Sequence, residues 1–190
     1  GDRYKYNYEI NSKVLSGFTQ AQFKYNRVDF YIGASVSNTN YQRNGLFENG
    51  NYPGTESFGE GEKQSFTDFG VKGGAIYKVT GKHLIDVNLG YLSKAPSIRN
   101  TFTNARQNNA VSIGLESEKI QNVDIGYIFR SPIVKARITG FYSNFKGGSD
   151  LGFYFTENIS GLGLEQDAFI QEVMTNVEKQ HIGGELGIEA

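Results

Sequence analysis

The residues best able to do chemistry in this chain are few and scattered. The two histidines, His83 and His181, lie at or inside extended segments with no second donor at a metal-ligand spacing. They fit a polar or interfacial face better than a zinc or iron site. Ser, Asp and His occur without a nucleophile elbow, and Gly161-Leu162-Gly163 lacks the third glycine and the strand-to-helix setting of a phosphate cradle. The carboxylate pairs Glu60/Glu62 and Glu116/Glu118 fall near loop tips, where charged groups are ordinarily solvated, and a glycosidase would need two acids facing each other across a cleft. Asn158-Ile159-Ser160 is a chance sequon. With no cysteine, disulfides, thiolate metal sites and a thiol nucleophile are excluded. No catalytic residue, metal site or cofactor is assigned, and the chain does not read as an enzyme.

Binding is the chemistry these residue types do support. The segment from Asn44 to Gln64 carries Phe47, Tyr52 and Phe58 among Gly and Asn. The segment from Pro96 to Gly114 carries Arg99, Phe102, Asn104, Arg106, Gln107, Asn108 and Asn109. Aromatic rings beside amides and guanidinium groups suit a sugar, a chelate or a peptide, and long loops on a rigid scaffold are common places for recognition. Tyr52, Phe58, Arg99, Asn104, Arg106 and Asn108 are the candidate ligand contacts.

The elements that must hold those loops are strands whose residues alternate apolar and polar. Leu15, Gly17, Thr19, Ala21, Phe23 and Tyr25 oppose Ser16, Gln20, Gln22 and Lys24; Val28, Phe30, Ile32, Ala34 and Val36 oppose Asp29, Tyr31, Ser35 and Ser37. Phe69, Val71, Gly73, Ala75, Tyr77 and Val79 oppose Asp68, Lys72, Gly74 and Lys78, with Ile76 an exception. Ile85, Val87, Leu89 and Tyr91 oppose Asp86, Asn88 and Gly90. Val123, Ile125, Tyr127 and Phe129 oppose Asn122, Asp124 and Gly126; Val134, Ala136, Ile138, Gly140 and Tyr142 oppose Lys135, Arg137 and Thr139. Ile182, Gly184, Leu186 and Ile188 oppose His181, Gly183, Glu185 and Glu189.

No apolar set contains a charge. That strictness is what hydrocarbon imposes, since Lys or Arg facing lipid at mid-bilayer costs roughly 2 to 4 kcal/mol. Several strands run about 13 to 17 residues, beyond the 9 to 11 that cross the hydrocarbon and the 5 or 6 usual in a globular sheet. Phe23, Tyr25, Tyr77, Phe129 and Tyr142 sit toward the ends of apolar sets, where an interfacial girdle would lie, although strands favour aromatics in any case. Tight connections at Asn26-Arg27, Thr80-Gly81-Lys82 and Arg130-Ser131-Pro132 alternate with long ones at Asn44 to Gln64, Pro96 to Gly114 and Gly147 to Asp167. The expected fold is all-β: an antiparallel up-and-down transmembrane barrel segment of about seven strands, residues 1–190 forming part of one barrel domain. Short turns would be periplasmic and long loops extracellular. Helical spacing between Leu164 and Met174 permits a short helix, though a loop entering a strand is preferred. Similarity between Val87-Asn88-Leu89-Gly90-Tyr91 and Val123-Asp124-Ile125-Gly126-Tyr127 reads as shared strand geometry, with Gly letting the following Tyr lean across a neighbour.

Composition agrees. Of 190 residues, 14% are aromatic, as 12 Tyr and 14 Phe, and 24 Gly stand against 3 Pro, which favours sheets with glycine turns. A net charge of -1 leaves no footprint for nucleic acid. No apolar run approaches the about 20 residues of a membrane helix, while a mean hydropathy of -0.45 is compatible with strands that show lipid only alternate residues. No signal peptide appears at Gly1, as expected of a mature form or an excised piece.

Leu92-Ser93-Lys94-Ala95-Pro96-Ser97, followed by Phe102, resembles the Arg/Lys-Ala-Pro-Ser/Phe signature of TonB-dependent receptor barrels. Leu115-Glu116-Ser117-Glu118-Lys119-Ile120-Gln121-Asn122-Val123-Asp124-Ile125-Gly126-Tyr127 is similar to that family's Leu-x-x-Glu-Lys-x-x-Asn-x-Glu-x-Gly-Tyr strand, with Asp124 for the usual Glu. Val177 to Leu186 resembles a later strand of the same barrels, in which Gly precedes a lumenal Glu. The resemblance covers Phe69 to Ala190. It implies an outer-membrane importer of about 22 strands around an N-terminal plug, driven by the TonB complex and carrying an iron chelate, cobalamin, a glycan or a peptide. Its implied partners are outer-membrane lipid, the plug, TonB through the plug, and the nutrient, with no nucleic acid. Lys72, Asp86, Asp124, Arg137 and Glu185 would line the lumen and meet the plug. These residues contain no plug or TonB box, and seven strands ending in Gly-Ile-Glu-Ala read as an internal fragment. A small closed barrel of about eight strands with a structural or adhesive role, and a soluble lipocalin-like or β-sandwich binder with its apolar faces inward, are the alternatives.

Overall fold

The computed structural model describes residues 6–156 and 168–189. Seven long strands follow one another: β1 (Tyr8–Lys24), β2 (Val28–Gly45), β4 (Gln64–Lys78), β5 (His83–Lys94), β6 (Glu118–Arg130), β7 (Lys135–Thr156) and β8 (Ala168–Glu189). A two-residue β3 (Gly59–Glu60) pairs with the end of β2. A 3-10 turn (Gly54–Glu56) and a one-turn helix α1 (Ile98–Thr101) lie in the loops. The sheet order β1-β2-β4-β5-β6-β7-β8 is the chain order, and every pairing is antiparallel. This is an up-and-down sheet. Among the described residues β1 and β8 each pair on one side only, so the segment is not a closed barrel.

The register explains why the alternation was so clean. Ala21 stands opposite Ile32, Ile32 opposite Gly73, Gly73 opposite Leu89, and Leu89 opposite Val123. Val123 is opposite Tyr142, and Tyr142 opposite Ile182. All the apolar sets therefore share one face across the sheet, because a slip of one residue anywhere would turn a whole strand over. That face is bare: Leu89 is 53% exposed and Ile182 84%. No second layer covers it among the described residues, which is contrary to a sandwich, whose apolar faces meet inside. Rings mark the band's two margins. Phe23 stacks on Phe30 at 4.8 Å and His83 lies 5.2 Å from Phe129 near the short turns. Phe69 and Tyr91, 5.8 Å apart, mark the other margin.

The short connections form as expected, closed by hydrogen bonds from Tyr25 N to the Val28 carbonyl, Thr80 N to His83 and Ser131 N to Val134. The strands, however, run further at the long-loop end than their patterns suggested. Past Val36 the apolar face of β2 continues as Asn38, Asn40 and Gln42, so the contrast between faces disappears while the hydrogen-bonded ladder goes on to Gly45. The expected loop from Gly147 to Asp167 is overturned in the same way. β7 runs on to Thr156 and β8 begins at Ala168, with register shifts between Phe145 and Asp150 and Gly147 at φ 72°. A bulge there lets the strand continue after its alternation breaks. Of the segment in which a helix was possible, residues 168–174 are strand, and Leu164 to Asp167 lie outside the described residues, as do Asn158-Ile159-Ser160 and Gly161-Leu162-Gly163.

Candidate functional site

The polar face carries a network built across strands. Asp86 on β5 is 6% exposed and accepts a 2.8 Å bond from Arg137 Nη2 on β7, reaching over β6. Only a glycine permits that reach: a Cβ on Gly126, the β6 residue opposite Asp86, would lie 2.2 Å from Asp86 Oδ1. The device recurs. A Cβ on Gly90 would meet Asn122 Oδ1 at 2.3 Å, one on Gly74 would meet Asn88 Oδ1 at 2.3 Å, and one on Gly183 would meet the Phe141 ring at 2.5 Å. Gly90 and Gly126 thus make room on the polar face for a neighbouring strand's side chain. The expectation that they let Tyr91 and Tyr127 lean is corrected, since those rings project from the opposite face.

A hydrogen-bonded chain runs beside the ion pair, from Tyr31 OH to Asn88 Oδ1 (3.1 Å) and from Asn88 Nδ2 to Asp124 Oδ1 (2.8 Å). Asp124, Arg137 and Glu185 border a shallow hollow of about 460 Å³. Lys72 stands apart, its stem crossing Gly33 and its ammonium 6.0 Å from the Tyr31 ring centroid. All five residues expected to line a lumen therefore share the polar face.

At the long-loop end the second long loop, between β5 and β6, folds back over that face. Ser97 caps α1 by accepting from Asn100 N at 3.2 Å, and α1 delivers Phe102, 3% exposed, onto Tyr41 of β2 and Phe66 of β4. This is the principal buried apolar cluster among the described residues. The same loop is pinned to the far side of the sheet: Asn100 Nδ2 donates to the Ser149 carbonyl at 2.5 Å and Arg99 Nη2 to Leu151 O at 3.3 Å. Beneath it opens a cleft of about 1120 Å³, walled by Tyr6 and Tyr8 before and on β1, by Leu151 and Phe153 of β7, and by Arg99, Asn104, Arg106 and Gln107 of the loop. Arg106 packs over the Tyr6 ring at 5.7 Å.

Of the six candidate ligand contacts, Arg99, Asn104 and Arg106 line this cleft. Tyr52, Phe58 and Asn108 do not. Tyr52 is half-buried in a turn with Asn49, and its carbonyl accepts from Ser57 Oγ. Phe58 is 52% exposed on the first loop, and Asn108 Oδ1 is occupied by Ala110 N. The residues the sequence left unremarked are Tyr8, Phe153 and Arg43. Arg43 is 1% exposed, two residues before the end of β2, and burial pulls its guanidinium below the usual arginine range. Beside it burial, with the Asp68 charge second, raises the Tyr41 phenol. A lone charge continuing the polar set Ser37, Thr39, Tyr41 was the available signal for Arg43.

A search of curated proteins returned no significant match. Among solved structures, the copper transporter OprC superposes with a TM-score of 0.64 at 16% identity, covering 91% of this chain and 26% of that one. The chain thus spans about a quarter of that structure, and at such identity the likeness speaks for the fold alone. The family model described as TonB dependent receptor-like, beta-barrel, matches residues 1–184, so the match also takes in the N-terminal third where only alternation had spoken. The uncovered apolar face, the polar face of glycine-seated side chains and this match agree: the chain belongs to the TonB-dependent receptor-like β-barrel family.

Proposed function

We propose that this chain is part of the wall of an outer-membrane receptor that imports an organic nutrient bearing negative charge, with the cleft under the second long loop contributing to its outer binding site. The apolar face meets lipid, the polar face meets the plug, and TonB acts through the plug. The observation that carries the ligand reading is the cleft lining: two guanidinium groups, four aromatic rings and several amides, with no carboxylate among the described residues that line it. Such a wall favours carboxylate, phosphate or sulfate groups, which Arg holds in paired hydrogen bonds, on a ligand with flat or apolar parts for the rings. Carboxylate- or catecholate-bearing iron chelates, cobalamin with its phosphodiester, acidic glycans and acidic peptides are of that kind.

Copper, named for the structural neighbour, is not carried over. Soft thiolate or thioether donors and imidazoles select that metal. This chain has no cysteine and one methionine, and the cleft lining holds neither His nor Met. The test is uptake by cells expressing the receptor, offered labelled members of these ligand classes and cupric ion alone. The expected result is uptake of an anionic organic ligand, weakened about tenfold by Arg99→Ala or Arg106→Ala, the equivalent of one charge-assisted hydrogen bond. Uptake of bare copper, or of an anionic ligand with both variants at full affinity, would refute the reading.

A further inference from the structure

The Arg43 side chain reaches from β2 into both long loops. Its Nε donates to the Ala105 carbonyl at 2.8 Å, and its Nη1 donates to the Ser57 carbonyl at 2.9 Å and to Asn109 Oδ1. Its guanidinium lies 5.1 Å from the Tyr8 ring centroid. One side chain on β2 therefore ties the first long loop at Ser57, the second at Ala105 and Asn109, and the aromatic wall of the cleft. The two loops also touch directly, Asn109 donating from its backbone to Glu56 O at 2.7 Å and from Nδ2 to Thr55 O at 2.9 Å. Gly45 shows how tightly the first loop packs on β2 beside Arg43, since a Cβ there would stand 1.8 Å from the Ser57 carbonyl oxygen.

We infer that Arg43 is a positioning residue which clasps the two long loops into one body, so that the wall of the cleft opens and closes as a unit and neither loop moves alone. The physical reason is the cost of leaving these groups unpaired. A buried guanidinium has five donors and cannot shed its charge, so opening one loop strands donors that the other loop still holds in place. Opening both together exposes the whole group to water and satisfies it. Ala105 lies between Asn104 and Arg106, so the clasp also sets where those two side chains enter the cleft. The ligand role of the cleft rests on the function proposed above, whereas the coupling of the loops does not depend on any ligand.

The test is hydrogen exchange followed by mass spectrometry on the whole receptor in nanodiscs without ligand. Arg43→Gln is expected to accelerate exchange about tenfold in peptides of both loops, around residues 55–60 and 103–112, while β4 to β6 keep their protection. Arg43→Lys keeps the charge but offers a single ammonium in place of the fork, and is expected to loosen both loops as well. Asn109→Ala removes the shared bond to Arg43 together with the separate Nδ2 bond to Thr55 O, and should likewise loosen both loops. Acceleration confined to one loop, no acceleration in either, full rescue by Lys, or equal loss of protection in the strands would each overturn the inference. Failure of ligand uptake with the loops still coupled would instead count against the proposed function alone.

Discussion

At the scale of single residues, glycine does unusual work on the polar face. Gly126 is where Asp86 crosses toward Arg137, and a methyl group placed there would displace a carboxylate whose side chain is only 8% exposed and is held by Arg137. Gly126→Ala is expected to destabilise the sheet by about 1 to 3 kcal/mol, as overpacking does, read as a lower urea midpoint for the folded, heat-modifiable band. Its mirror on the apolar face gives the control. Gly140 has open space around a Cβ, so Gly140→Ala is expected to leave the midpoint nearly unchanged. Little of this was legible in the sequence. Gly90 and Gly126 were noticed through their Tyr neighbours, but a socket is a relation between strands, and one strand's spelling does not contain its neighbour's register. Arg43 escaped for the same reason. Its partners are backbone carbonyls and an amide from two other segments, and carbonyls leave no mark in a sequence.

At the scale of elements, alternation made the strands legible over the middle of their length and not at their ends. Between Phe69 and Val79, or Val123 and Phe129, apolar and polar residues must separate because the two faces meet different media. Beyond Val36 on β2 both faces turn polar, and beyond Tyr142 on β7 the alternation breaks at Gly147 and Gly148, so a ladder that continues to Gly45 and Thr156 looks like loop. The boundary between the two regimes makes a prediction. Leu89→Arg on the apolar face is expected to cost roughly 2 to 4 kcal/mol of folding stability in bilayers, as a cation facing mid-depth hydrocarbon does. Gln20→Arg on the polar face should cost close to nothing. Vesicle refolding monitored by electrophoretic mobility separates the two, and equal effects would count against the assignment of faces. The loops were legible as binding surfaces only in part. Arg99, Asn104 and Arg106 were marked by type and do meet around the cleft, whereas Tyr52 and Phe58 were marked by type and lie elsewhere because the first loop folds on its own turn.

At the scale of the whole molecule, the sheet has two open margins among the described residues. β1 offers the ladder groups of Tyr8–Lys24 and β8 those of Ala168–Glu189, and unpaired strand edges of such length are templates for further pairing. Hydrocarbon offers those groups no hydrogen-bond partner. The 190-residue chain prepared alone in detergent is therefore expected to associate edge to edge, giving oligomers by light scattering. A monodisperse monomer with exchange-protected amides on β1 and β8 would contradict this. The strand count and direction could be read from the sequence because turns and alternation are local, whereas closure is a relation between strands far apart in the chain.

The glycine sockets have a last consequence, for the topography of the wall. Asn88, Asn122, Asp86 and Phe141 lie down across their neighbours rather than standing up from the sheet. The polar face accordingly has low relief, broken by a few posts such as Glu185. A rigid body lodged against such a surface is held by scattered polar contacts and not by interlocking teeth, so it can tilt or slide by small steps without first having to lift clear of the wall.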